Sequence, residues 1–256
     1  MSAQYPTVKI LNLHMTGLTQ PGALSAAHHL IALRRPAAIY TPNAEMAERA
    51  ARDPSFAALL NRADLLLPDG VGITAAARLC GKRLTRMPGI DFAEALLASA
   101  PPKGYRLFLL GADPGVAVRA AHRISERFPR IRICGAQNGF YPAGMEHAVV
   151  AAIRLAKPDL LFVCLGSPRQ ELFIDRFRPP CLSLALGGAL DVFAGVVPRA
   201  PEPMRRVGLE WLFRTLRQPS RIPRLAALPI FTGRVLLSES RRLAKDWQTQ
   251  RKMLQK

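Results

Sequence analysis

Acidic residues are scarce in this chain: 18 Asp and Glu stand against 36 Lys and Arg in 256 residues, a net charge of +18. Such a surface attracts polyanions, whether phosphorylated substrates, nucleic acid or an anionic membrane. Cysteine is also scarce. Cys80, Cys134, Cys164 and Cys181 are far apart and form no CxxC pair, which argues against a disulfide or zinc framework and fits a reducing cytosol. His14, His28, His29, His122 and His147 show no metal-binding spacing and read as structural or surface residues. No run of about 18 apolar residues occurs, so no membrane-spanning helix is expected and membrane contact must be peripheral. The opening MSAQYPTVKI lacks the basic-then-apolar pattern of a secretory signal. Aromatics make up only 7%, and no basic segment interleaves them as RNA-binding modules do. A basic nucleic-acid-binding protein without enzymatic activity is permitted by the charge and disfavoured by this lack.

What the chain does have is an alternation of apolar runs and amphipathic stretches. Residues 8–15, 37–43, 64–70, 105–112, 130–137, 159–166 and 181–188 read as strands. Helical patterns lie between them, among them 21–36, 115–127, 145–156 and 169–177. Near-continuous apolar strands separated by helices predict an α/β fold with a Rossmann-like parallel sheet covered on both faces. Ligands in such sheets bind beyond the carboxyl ends of the strands. After residue 198 the character changes: 199–256 holds 14 Lys and Arg against 4 Asp and Glu. The expectation is a catalytic core over 1–198 and a basic helical appendage over 199–256. Its apolar clusters alternating with arginines fit either an interfacial helix or a solvated helix packed on the core.

The strand ends carry the polar residues. "TPN" puts Thr41 and Asn43 at one, although Pro-Asn alone reads as a turn. "LLLPDGVG" puts Asp69 at another, and Pro-Asp-Gly is equally a turn signature. "LLGADPG" places Gly111 in a turn before a helix, where backbone N–H groups suit a phosphate. In "LGSPRQE", Ser167 reads as a helix cap with Pro168 at the first position. There Gln170 could bond a sugar or base, and Glu171 reads equally as a first-turn acid. In "RMPGID", Arg86 could reach a diphosphate and Asp91 reads as a cap. Position shifts the balance for Asp69, because a carboxylate sharing a ligand edge with Thr41, Asn43 and Gln170 can take a proton from an attacking hydroxyl.

"TPNAEM", "ADLLLPDGVGI", "GID", "LGSPRQE", "GGALDVFAG", "RAPEPMRRVGLEWLFR" and "RQPSRIPR" occur in this order. Together they resemble the WecG/TagA/CpsF glycosyltransferase family across roughly residues 8–230. The resemblance implies an inverting, metal-independent transferase that needs no cofactor, and no DxD motif is present. It would move a sugar from a UDP-sugar to a polyprenyl-diphosphate-linked sugar at the cytoplasmic membrane face, with homo-oligomerisation possible. By motif, Asp69 is the implied base, and Thr41, Asn43 and Gln170 are active-site residues. Arg214, Arg221 and Arg224 are the implied diphosphate-holding arginines, and the turns at Gly111 and Gly188, with Asp191, are assigned to the UDP moiety. Leu190, Pro198 and the pair Met87-Pro88 depart from the family pattern near loops expected to face the ligand, which leaves the donor sugar open between UDP-ManNAc-type sugars and a UDP-hexose.

Overall fold

The computed structural model describes residues 5–142, 144–217 and 227–254. Six strands form one parallel sheet in the order β4-β3-β8-β7-β5-β6. They are β3 (Ala37–Tyr40), β4 (Leu65–Leu66), β5 (Tyr105–Gly111), β6 (Ile131–Gln137), β7 (Leu160–Cys164) and β8 (Leu182–Ala185). The period of two explains how the apolar runs serve two cores. On β7, Leu160, Phe162 and Cys164 enter one hydrophobic cluster while Leu161 and Val163 enter the other. The first cluster lies under α1 (Gln20–Ala32), α5 (Gly89–Ala98), α6 (Val116–Arg127) and α9 (Ala189–Phe193). The second lies under α2 (Ala44–Arg52), α3 (Pro54–Asn61), α4 (Val71–Leu79), α7 (Glu146–Ala156) and α8 (Arg169–Phe177). The result is the three-layer, Rossmann-like arrangement expected from the sequence.

Residues 8–15 do not join that sheet as the expected first strand. They belong to an antiparallel hairpin, β1 (Thr7–Ile10) with β2 (Leu13–Thr16), in which Ile10 pairs with Leu13. The two-residue connection needs a positive φ, which Leu11 adopts at 51°. Leucine rarely does so, and the turn therefore left no signature in the sequence.

Two capping expectations also change. Asp91 lies inside the first turn of α5, with Pro88 at the cap position, and it pairs with Arg199. Ser167 makes no cap hydrogen bond to α8: Pro168 occupies the cap position after a cis peptide bond.

The basic C-terminal stretch forms α10 (Glu202–Arg206), α11 (Glu210–Arg217) and α12 (Ala227–Leu254). The first two of these helices are separated at Gly208. Its φ of 79° suits glycine, and a Cβ there would come 2.1 Å from Val71 Cγ1. Helix α12 packs on α2 and α4 and sinks Phe231 and Val235 into the second core. Glu48 of α2, 0% exposed, takes a two-pronged pairing from Arg234 of α12, with both bonds at 3.0 Å.

Candidate active site

The chain leaves β3 toward one edge of the sheet and reaches β8 from the other side, so the connections diverge between these neighbours. Open α/β sheets leave a crevice at such a point, beyond the carboxyl ends of the strands. Here it is a cavity of about 250 Å³.

Backbone hydrogen bonds lace three loops around it. The β3–β4 ladder continues past its last strand pair: the Leu67 N–H donates to Tyr40 O at 2.9 Å and the Asp69 N–H to Pro42 O at 3.0 Å. The Met87 N–H then donates to Pro68 O at 2.8 Å, drawing in the loop that carries Arg86. This is why Thr41, Asn43, Asp69 and Arg86, spread over 46 positions, line one cavity. The turn residues Pro68 and Gly70 shape the bend, and the ladder fixes Asp69.

Each side chain has a defined setting. Asn43 is the N-cap of α2, its Oδ1 accepting the Met46 N–H at 3.0 Å, and the residue also lines the cavity. Thr41 is buried and donates through Oγ1 to Ala185 O at 3.4 Å. Arg86 donates to the Arg205 carbonyl at 2.6 Å, tying the core loop to the chain just before α11. The far wall comes from the C-terminal helices: Gly208, Glu210, Trp211, Thr215 and Leu228. Half-buried Arg199 joins this wall to the core. It pairs with Asp91, lies 3.6 Å from Glu94, and lies 3.7 Å from Glu210. These three carboxylates, with the hydrogen bond from Arg199 to Asp91, hold its guanidinium pKa above the ordinary value despite burial.

Other sequence-expected residues lie elsewhere. Gln170 is 4% exposed and uses both ends of its amide within the fold: Nε2 donates to Glu171 Oε1 at 2.7 Å and Oε1 accepts the Gly187 N–H at 2.9 Å. Gly188 is the N-cap residue of α9, between the cavity-lining Leu186 and Ala189. Asp191 sits in the first turn of α9, its carbonyl accepting the Val196 and Val197 N–H groups. Gly111 packs against β7 so closely that a Cβ would come 2.2 Å from Cys164 O, so glycine there answers to the sheet itself. Arg214 belongs to α11, with its side chain outside the description, and Arg221 and Arg224 lie outside the described residues. Of the departures from the family pattern, Leu190 is 0% exposed and Met87 3%; Pro88 alone of the four lines the cavity.

Sequence reading missed Glu45, Glu210, Trp211 and Thr215 as cavity residues. They stand in the quoted strings "TPNAEM" and "GLEWLFR" plus the residue that follows, and only the docking of α11 over the crevice separates them from surface residues.

The chain matches the model of the glycosyl transferase WecG/TagA/CpsF family over residues 8–245. Two curated relatives are each an N-acetylglucosaminyldiphosphoundecaprenol N-acetyl-beta-D-mannosaminyltransferase. The one from Bacillus spizizenii W23 is 38% identical over 205 residues, covering 78% of this chain and 79% of the relative. The one from Bacillus subtilis 168 is 38% identical over 216 residues, covering 82% and 83%.

Proposed function

The chain belongs to the WecG/TagA/CpsF family of glycosyl transferases, and from that premise we propose that it moves a sugar from a UDP-sugar to the sugar of a polyprenyl-diphosphate-linked acceptor, with inversion at the transferred carbon. The observation that carries this reading is the laced cavity that holds Asp69 beside Thr41, Asn43 and Arg86. Three carboxylate residues line the cavity, Glu45, Asp69 and Glu210, and an inverting transfer needs one of them as base; Asp69, fixed at the strand end by its own backbone bond, is assigned that part. Asp69 takes the proton from the acceptor hydroxyl as that oxygen attacks the anomeric carbon, and UDP departs from the opposite face.

The departing diphosphate gains negative charge and requires fixed positive groups. Arg86 is one, and Arg214, Arg221 and Arg224 are proposed for the same task, their forked guanidinium groups matching phosphate oxygens. The Asn43 amide and the Thr41 hydroxyl orient sugar groups. The cavity, at about 250 Å³, lies below the usual range of about 300–1,000 Å³ for a whole ligand site. It therefore suits the reacting sugar, and the nucleotide runs out along the sheet edge past Gly188 and Asp191 toward Gly111.

No described helix is long and apolar enough to cross a membrane. The protein is proposed to work peripherally on the inner face of the cytoplasmic membrane, in the synthesis of a cell-envelope polysaccharide. The relatives' names favour an N-acetylmannosamine donor. With Leu190 and Met87 buried in the core, the sequence departures bear on the donor mainly through Pro88. Incubation with a panel of radiolabelled UDP-sugars and a short-chain prenyl-diphospho-N-acetylglucosamine tests the proposal. Transfer from UDP-N-acetylmannosamine supports it, transfer from a UDP-hexose alone moves the donor assignment, and transfer from none overturns it.

A further inference from the structure

One buried carboxyl has no task in this scheme. Glu171, in the first turn of α8, is 0% exposed, and its Oε2 receives no hydrogen bond of good geometry. Burial pushes this carboxyl above the usual range, against the pull of hydrogen bonding from Gln170, from its own backbone N–H and from the Ser167 hydroxyl. A first-turn glutamate that served only the helix dipole would reach solvent and keep its charge. A buried carboxyl with one poorly bonded oxygen is costly and calls for a reason.

The other oxygen leads to the cavity. Glu171 Oε1 accepts from Gln170 Nε2 at 2.7 Å, and Gln170 Oε1 accepts the Gly187 N–H at 2.9 Å. Gly187, at φ 54°, is the pivot of a turn whose flanking residues Leu186 and Ala189 line the cavity. Leu186 packs at Gly89 and Thr41: a Cβ on Gly89 would lie 3.3 Å from Leu186 Cδ2 and 2.8 Å from Thr41 Oγ1. From the sheet, the Tyr40 hydroxyl donates to the Glu171 carbonyl at 3.4 Å, next to Thr41 in the chain. The Gln170 amide can face Gly187 in two ways, related by a flip. Only one puts an acceptor on the Gly187 N–H, and a hydrogen-bond acceptor at position 171 selects it.

We infer that Glu171 is a positioning residue: it orients the Gln170 amide, which holds the Gly187 N–H and so sets the 186–189 turn that forms the sheet-side wall of the cavity. It touches no substrate. Its kinetic consequence rests on the sugar-transfer reading, whereas the relay itself does not.

The titratable and charged groups around this carboxyl are few. Arg49 of α2 favours its ionised form. The Tyr40 phenol at the end of β3 is itself raised by burial, by Asp175 and by Glu171. An acid raised on folding holds its proton more tightly in the folded chain. Its favourable contribution is complete below the ordinary glutamate pKa and is lost as pH rises through the raised one.

Glu171→Gln keeps an acceptor and removes the charge. It should retain turnover within about twofold and leave the Gly187 amide protected from hydrogen exchange. Its Tm relative to the unsubstituted protein should rise as pH climbs from the ordinary glutamate range through the raised pKa of Glu171. Glu171→Leu and Gln170→Leu should each free the Gly187 amide and cost about tenfold or more in kcat/KM. The double variant should lose no more than Gln170→Leu alone, because the two act in series. Additive losses, or a Glu171→Leu protein with a protected Gly187 amide and normal turnover, overturn the inference. Should Glu171→Leu not fold, the pair Glu171→Gln and Gln170→Leu decides: any pattern other than protection in the first and exposure in the second overturns it. If the unsubstituted protein transfers no sugar, the transferase reading fails, and the exchange and pH arms still decide the relay.

Discussion

Asp69 is placed by its own backbone. Its N–H completes the ladder to Pro42, so replacing the carboxylate leaves the positioning bond in place. Asp69→Asn should keep UDP-sugar binding near normal and lower turnover by roughly 10²–10⁴-fold, the usual worth of a general base. Equilibrium binding and single-turnover kinetics on one preparation check this, and near-normal turnover would remove Asp69 from the role. Asn43 caps α2 through Oδ1 and lines the cavity, and its Nδ2 is the donor proposed for the sugar. Serine also caps a helix but has no amide. Asn43→Ser should therefore hold the Tm close to that of the unsubstituted protein while kcat/KM falls about tenfold or more. Asn43→Ala should lose both the activity and about 0.5–2 kcal/mol of stability. Equal activity in the serine variant would reduce Asn43 to a cap.

At the level of elements, α11 is the part of the site most dependent on long-range contacts. Arg199 gathers Asp91, Glu94 and Glu210 around one guanidinium. Arg199→Met takes this cation away from Asp91 and Glu210, beneath the helix that carries Glu210 and Trp211, while Glu94 keeps its two bonds from Arg127. The expected outcome is faster proteolysis between residues 206 and 210 and a loss of about tenfold in kcat/KM, in line with the loss of a charged hydrogen bond. Unchanged proteolysis and kinetics would mean that the apolar packing of α12 alone seats these helices. The same elements show where sequence reading stopped. The strands were legible because burial on both faces leaves continuous apolar runs, as in "LLFVC" of β7. The helix 169–177 was legible to the residue, and so was the shared edge of Thr41, Asn43 and Asp69. The hairpin was not, since it depends on a leucine at positive φ. Nor were Gln170 and Glu171 as an internal relay, since a polar residue at a strand end reads the same whether it turns inward or toward a ligand.

Over the whole molecule the charge divides into two populations. Helices covering a parallel sheet end at the edge opposite the cavity, and their carboxyl termini carry partial negative charge. Arg34 follows α1, Lys103 follows α5, and Arg154 with Lys157 closes α7; all four line a shallow basin there. Helix ends supply those four cations, and Arg106 of β5 and Arg132 of β6 add to the same basin. The C-terminal helices differ, because they combine arginines with exposed apolar residues: Val207, Leu209, Trp211 and Leu216 on or beside α11, and Ile230, Leu236, Leu237 and Trp247 on α12. They also wall the cavity, so adsorption through them would bring the site to an acceptor held in lipid. Deleting residues 227–256 would be a poor test, because Phe231 and Val235 belong to the core. Leu237→Glu with Trp247→Glu alters only exposed side chains, at 63% and 60% exposure. That double variant should keep its Tm and its transfer to a short-chain acceptor. Its binding to anionic vesicles in a flotation assay should drop several-fold, and the binding of both proteins should weaken with salt, as basic residues near a charged surface each contribute about 1 kcal/mol. Vesicle binding that is identical in the two proteins would place the membrane contact elsewhere, and tight RNA binding with no vesicle binding would return the basic surface to the nucleic-acid reading.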